Sequence, residues 1–424
     1  MNRIILIGNG FDLAHGMPTS YGNFIDDYWR NAIEKIRNKP YWENGFENDE
    51  FYIQPLPKIW EGNNDYEALE YNLRNISNNI NFKNEFFAVL NKHKSSLNWV
   101  DIENDYYFLL KNCYKKPSRY TIAQLNKEFY VIECLLEEYL TRVEKEFSKG
   151  FPNNDDEISF KRSINEVIYS DFNLRDFSET SINNLTETEF QRVYSEIKSI
   201  EEEHISLWDI ELSERDLRLY QILINNQDKK QKIKELLTSE AANDYFRHRP
   251  KEVLFVNFNY TSTEVYYDSP PIDSEFGRDI STDVIHIHGV LNNKTDNKII
   301  FGFGDEIDKD YLEIEDLNDN EYLQNIKSIK YLESDSYKRL LDFINSNNYQ
   351  VFIFGHSCGI SDRTLLNTLF EHKNCCSVKP YYRKKDNGTD NYSEMIRNIS
   401  RNFTDKASMR DKVVNKKYTQ ALFS

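Results

Sequence analysis

Ile4-Ile5-Leu6-Ile7 is an uninterrupted apolar run closed by Gly8, and no comparable strand signal follows until Val253. A strand apolar on both faces belongs inside a parallel sheet covered on both sides. Left alone, its backbone groups would go unpaired. The other apolar runs, at residues 253–256, 284–288, 299–303, 351–354 and 378–382, all come late in the chain. The first strand is therefore expected to join a sheet whose remaining members lie at the far end of the sequence. Helical patterns separate the later runs. Tyr337, Leu340, Leu341 and Ile344 form a stripe that stops at Asn347-Asn348, and Ser361-Asp362 reads as the cap of a helix carrying Leu365, Leu366, Leu369 and Phe370. Strands alternating with helices make βαβ units. The expected fold class is α/β, a Rossmann-like, mostly parallel sheet.

Between the two halves the pattern changes. Phe129, Ile132, Leu136, Tyr139 and Val143 share one helical face. This divides the chain into residues 1–30 (first strand and helix), 31–248 (a long, mainly helical insertion) and 249–424 (the rest of the core and a tail). The net charge of −17 argues against broad nucleic-acid binding, which needs a basic surface. It leaves room for a small anion held by backbone N–H groups. No run of 18 apolar residues is present, so no membrane span is expected. The N-terminal apolar run is too short for a signal peptide, and the five cysteines form no CxxC pair. Reduced thiols, a cytoplasmic location and no metal are the expectation.

Four motifs carry chemistry. Gly8-Asn9-Gly10-Phe11-Asp12 is a strand-to-helix turn whose glycines would let a phosphate approach the backbone. Asp12 is also a possible helix cap. The following stretch from His15 through Thr19, Ser20 and Tyr21 is a polar Gly-Pro loop of a kind that usually serves binding. Asn259 follows the run at 253–256, where ligands of parallel sheets bind. Val284-Ile285-His286-Ile287-His288-Gly289 places two histidines on one face of a strand. A structural role fits His286, a metal pair is an alternative, and His288 is the candidate general base. At such a cleft mouth, removing His288 should cost little packing. Finally, Gly355-His356-Ser357-Cys358-Gly359 matches Gly-x-Ser-x-Gly, the elbow of serine hydrolases. Only His372 lies downstream, too early to complete a triad.

The N-terminal block from Ile5 to Tyr21, with Phe258-Asn259-Tyr260-Thr261, His286-Ile287-His288-Gly289 and Phe354-Gly355-His356-Ser357, resembles the AbiH-like family of bacterial phage abortive-infection proteins. The order of these motifs is also similar to that of sirtuin-like NAD-binding domains. That similarity implies that Gly8, Asn9, Gly10, Thr19, Ser20, Gly355, His356 and Ser357 contact NAD, and that Asn259 and His288 flank the nicotinamide ribose. Asp12 stands where such chains commonly have Ser, and Thr261 where defence-type relatives often have Asp; zinc-ribbon cysteines are absent. The resemblance thus implies NAD hydrolysis at the nicotinamide–ribose bond, with His288, Asn259 and Asp12 catalytic, rather than protein deacylation. A non-catalytic nucleotide sensor is the alternative from a different class. A metal-dependent nuclease using His286, His288 and Asp305 is a third reading, weakened by the acidic charge. A phage-derived trigger and self-association through the insertion are the expected protein partners.

Overall fold

The computed structural model describes residues 1–38, 45–55, 65–75, 79–92, 99–115, 119–152, 154–203, 207, 211–224, 226–246, 248–270, 280–293, 298–385 and 387–423. Six strands build the main sheet: β1 (Asn2–Ile7), β2 (Glu252–Asn257), β3 (Ser281–His286), β4 (Tyr349–Phe354), β5 (Cys375–Arg383) and β6 (Ala421–Phe423). Their spatial order is β3-β2-β1-β4-β5-β6, and every neighbouring pair is parallel. This is the doubly wound Rossmann order, in which the winding reverses between the first and fourth strands. The N-terminal strand lies at the centre: Ile4 is level with Leu254 on one side and Val351 on the other.

Alternation along β1 explains its wholly apolar sequence. Ile4 and Leu6 pack with Leu254, Val256 and the helices Ser336–Ser346 and Arg363–Glu371. Ile5 and Ile7 face the opposite layer, with Phe11, Phe255 and Phe354.

The intervening chain packs as two lobes. The short α1 (Asn9–Ala14) packs its Phe11 against the sheet, and one lobe contains α2 (Tyr21–Asn38), α3 (Trp99–Lys115) and α4 (Ile122–Phe147), whose apolar faces share a core with Phe301 and Phe303. All five residues of the stripe from Phe129 to Val143 are buried in it. The second lobe, around Ile197, Leu219 and Ile233, packs against Met1 and Cys376.

Four features depart from the sequence reading. Residue 31 falls inside α2, so no break in structure occurs there. The insertion also carries a three-stranded antiparallel patch, Phe46–Glu47, Phe51–Ile53 and Ile80–Phe82. The run at 299–303 is not a strand of the sheet. Its apolarity serves the first lobe instead: Phe301 stacks on Phe129, and Phe303 on Tyr107. Finally, β6 at the sheet edge is too short to have signalled itself. Among the described residues no helix is long and apolar enough to cross a membrane.

Candidate functional site

A cavity of about 650 Å³ opens at the C-terminal ends of β1 and β4, where the winding reverses. It is lined by Gly8, Asn9, Gly10 and Asp12 from the first turn, and by Thr19 and Ser20 from the next loop. Asn259 follows β2, His288 follows β3, and Gly355, His356 and Ser357 follow β4. All eleven residues expected to be catalytic or to contact NAD thus border one space, whereas His15, His286 and Asp305 do not.

Their hydrogen bonds revise several expected roles. The amides of Gly8 and Gly10 donate to Phe354 O and Gly355 O, at 3.1 and 2.9 Å. A Cβ on Gly8 would sit 2.5 Å from His356 Cα, and one on Gly355, whose φ is +70°, would sit 2.1 Å from Phe11 N. These glycines therefore weld two loops together, and the amides expected to meet a phosphate are already bonded. Ser20 closes a reciprocal capping box at the start of α2: Asn23 N donates to Ser20 Oγ at 3.1 Å and Ser20 N to Asn23 Oδ1 at 3.2 Å. Thr19 Oγ1 donates to Asn9 Oδ1 at 2.7 Å, and Tyr139 of α4 pins this loop by donating to Pro18 O. His15 turns away from the cavity toward Phe11 O and Tyr267 Oη.

Asp12 is buried and caps nothing; α1 begins at Gly8 without a side-chain cap. Its two oxygens accept from Thr261 Oγ1 at 2.5 Å and Thr263 Oγ1 at 2.6 Å. Asp12 and Thr261, which lie in separate sequence motifs, are thus partners. Burial pushes the Asp12 carboxyl up to about 6, opposed by the two hydroxyls. Beside it, the buried Asn259 side chain also favours the Asp12 charge, though its Nδ2 makes no hydrogen bond of good geometry.

The floor of the cavity holds a charged group that motif reading missed. Lys327 Nζ lies 2.7 Å from Glu103 Oε1 and 2.9 Å from Asp362 Oδ1, and all three side chains are buried. Asp362 Oδ1 is 3.1 Å from His288 Nε2, and Oδ2 is 3.6 Å from His356 Nε2. Asp362 was expected to cap a helix; its carboxylate makes no cap bond and faces Lys327 and the two histidines instead. Lys327 and the histidines hold its carboxyl well below the ordinary range despite burial. Burial, partly offset by Lys327, pushes Glu103 up to about 7. For His288, burial first and Lys327 second hold the ring down to about 4, so it is neutral at neutral pH. His288 Nδ1–H donates to Phe258 O at 3.1 Å, which leaves Nε2 bare, with Tyr331 Oη 3.2 Å away. His288 is therefore a buried, multiply bonded ring rather than one at a cleft mouth, and its removal costs packing and partners. No sequence signal marks Glu103 or Lys327. One is among many glutamates of the insertion, the other lies in a stretch without a motif.

Two alternatives lose their geometry. His286 bonds Glu264 at 2.9 Å, apart from the partners of His288. In Gly355-His356-Ser357-Cys358-Gly359 the left-handed residues are Gly355 (φ +70°) and Cys358 (φ +53°), whose thiol is buried. A nucleophile elbow puts the serine itself at that strained position. Here Ser357 lies exposed at the rim, while His356 is committed to Cys358 N and faces Asp362.

A family model described as "Bacteriophage abortive infection AbiH" matches residues 4–383. The chain belongs to this family. The match runs from β1 through the insertion to the end of β5, so the sheet crossover, the eleven cavity residues named above and Glu103 of α3 lie within the AbiH region, while the cavity wall from Lys385 to Arg401 lies beyond it. That places the protein among bacteriophage abortive-infection proteins. No curated protein and no solved structure matches it.

Proposed function

We propose that this AbiH protein binds NAD in the crossover cavity and hydrolyses its nicotinamide–ribose bond, draining the cofactor from an infected cell. The observation that carries the reading is the convergence of Asn259, His288 and the two welded loops at the reversal point of a Rossmann-ordered sheet, where such sheets bind dinucleotides. The choice of NAD comes from the order of the sequence motifs, which is similar to that of sirtuin-like NAD-binding domains. In the reaction the C1′–N bond breaks with its electron pair passing to the nicotinamide ring, and water adds to C1′. The transition state carries positive charge on the ribose. Buried carboxylates at Asp12 and Asp362 favour such charge in a site of low dielectric. The buried Asn259 Nδ2 donates to a ribose hydroxyl. The water's proton goes to the bare Nε2 of His288, which Asp362 then stabilises across 3.1 Å.

The test is nicotinamide release from NAD by the purified protein. His288→Gln keeps much of the volume and polarity, and loses about 10²–10⁴ in rate where the ring is the base. Full activity in that variant removes His288 from the mechanism, and no release by the parent removes the reaction. A second reading has its own support: a ring held down to about 4 is a weak base at neutral pH, which suits a nucleotide sensor. In a sensor, NAD binds without being consumed.

A further inference from the structure

A dinucleotide needs its phosphates held, and the glycine turn has no amides to spare at Gly8 and Gly10. A different part of the cavity wall has the required chemistry. Tyr381, Arg383 and Lys385 alternate along the end of β5 and the residues beyond it, and all three border the cavity. Residues two apart on an extended chain project to one side. The loop after β5 is fixed by its own bonds: Arg383 N donates to Asn391 Oδ1 at 2.7 Å, and Lys385 N to Thr389 O at 2.8 Å. Facing it is α5 (Tyr392–Arg401), which lines the same space with Met395, Asn398 and Arg401 on one face. Arg401 Nη1 donates to Asn398 Oδ1 at 2.6 Å, and Asn398 Nδ2 to Ser357 O at 2.9 Å, so the guanidinium is tethered to the loop after β4.

Among the described residues none of Arg383, Lys385 and Arg401 forms an ion pair, although the chain carries a net charge of −17. Glu394 is the carboxylate on this part of the wall. The cavity is thus polarised: the carboxylates of Asp12, Glu103 and Asp362, with Lys327 as the one lysine among them, border one part, and Arg383, Lys385 and Arg401 border the part built on β5 and α5.

We propose that Arg383, Lys385 and Arg401 form the phosphate-binding subsite of this cavity, holding the pyrophosphate of a nucleotide over β5 rather than over the first glycine turn. The proposal rests on the nucleotide reading of the same cavity. Guanidinium groups suit it because they bond phosphate oxygens in a planar, charge-assisted way. The arrangement orients the ligand as well. Its anionic bridge sits on the cationic wall, and its positively charged nicotinamide ring points to the acidic end.

The experiment uses the full chain with the pair Arg383→Gln and Arg401→Gln, separately and together, and two probes. NAD carries the pyrophosphate; nicotinamide riboside carries none. The variants are expected to weaken NAD binding by about tenfold to a hundredfold and to leave nicotinamide riboside unaffected. Parent affinity for NAD should fall as salt rises, and inorganic pyrophosphate should compete. Equal NAD affinity in parent and double variant overturns the subsite while leaving NAD hydrolysis standing. Binding of NAD and pyrophosphate without nicotinamide release, lost in the double variant, upholds the subsite and overturns the hydrolysis. Weakening of both probes alike marks a folding effect and overturns the assignment, as does a parent that binds neither NAD nor pyrophosphate.

Discussion

At the scale of single residues, Asp12 offers the cleanest test of the electrostatics. Its folded carboxyl is pushed up to about 6 from an ordinary 3.8 because burial penalises the charge. Across that window the native state holds a proton that the unfolded chain has released. Its contribution therefore lowers stability as pH rises from 3.8 to about 6, and the loss is complete above that. Asp12→Asn carries no such loss. The expected outcome is a variant close to the parent at pH 4 and more stable by about 2–3 kcal/mol at pH 7, read from urea melts at both pH values. A constant difference across pH would mean that Asp12 is not buried as a charge. The same residue shows what one sequence can and cannot say. Asp12 was legible as a site residue because it follows Gly-x-Gly, but its partners Thr261 and Thr263 were not. A hydroxyl about 250 positions away leaves no local trace. Asp362 was legible and misread: a carboxylate at a helix start looks like a cap until Lys327 is seen beside it.

At the scale of elements, the sheet strands were legible because burial on both faces forces an unbroken apolar run, as in Ile4 to Ile7 and Val351 to Phe354. The run at 299–303 has the same composition for another reason, contact with α3 and α4, and composition alone does not separate the two. The insertion is more than an appendage, since α3 delivers Glu103 to Lys327 across the lobe boundary. Lys327→Met leaves Glu103 and Asp362 buried without their cation. A loss of about 3–5 kcal/mol is expected, and adding Glu103→Gln should restore part of it. His288 should also titrate higher in Lys327→Met, because Lys327 is one of the charges holding it down; histidine NMR titration reads this directly. Additive losses in the double variant would break the claimed link between insertion and core.

At the scale of the whole molecule, the central strand β1 (Asn2–Ile7) is separated in sequence from its partners β2 (Glu252–Asn257) and β4 (Tyr349–Phe354) by the whole insertion. A chain lacking residues 1–7 leaves those partners about two strand spacings apart, roughly 10 Å, with no ladder between them. It is expected to show no cooperative unfolding transition, checked by circular dichroism during heating. A cooperative melt would show that the sheet closes without β1. The same connectivity has a consequence in time. A ribosome making about 5–20 residues per second needs on the order of tens of seconds to pass from Ile7 to Phe354. Throughout that interval the crossover does not exist, and neither does the wall built on β5. No chain that stops short of β5 and α5 owns the cavity, so whatever this protein does to its host begins only after those walls have been made.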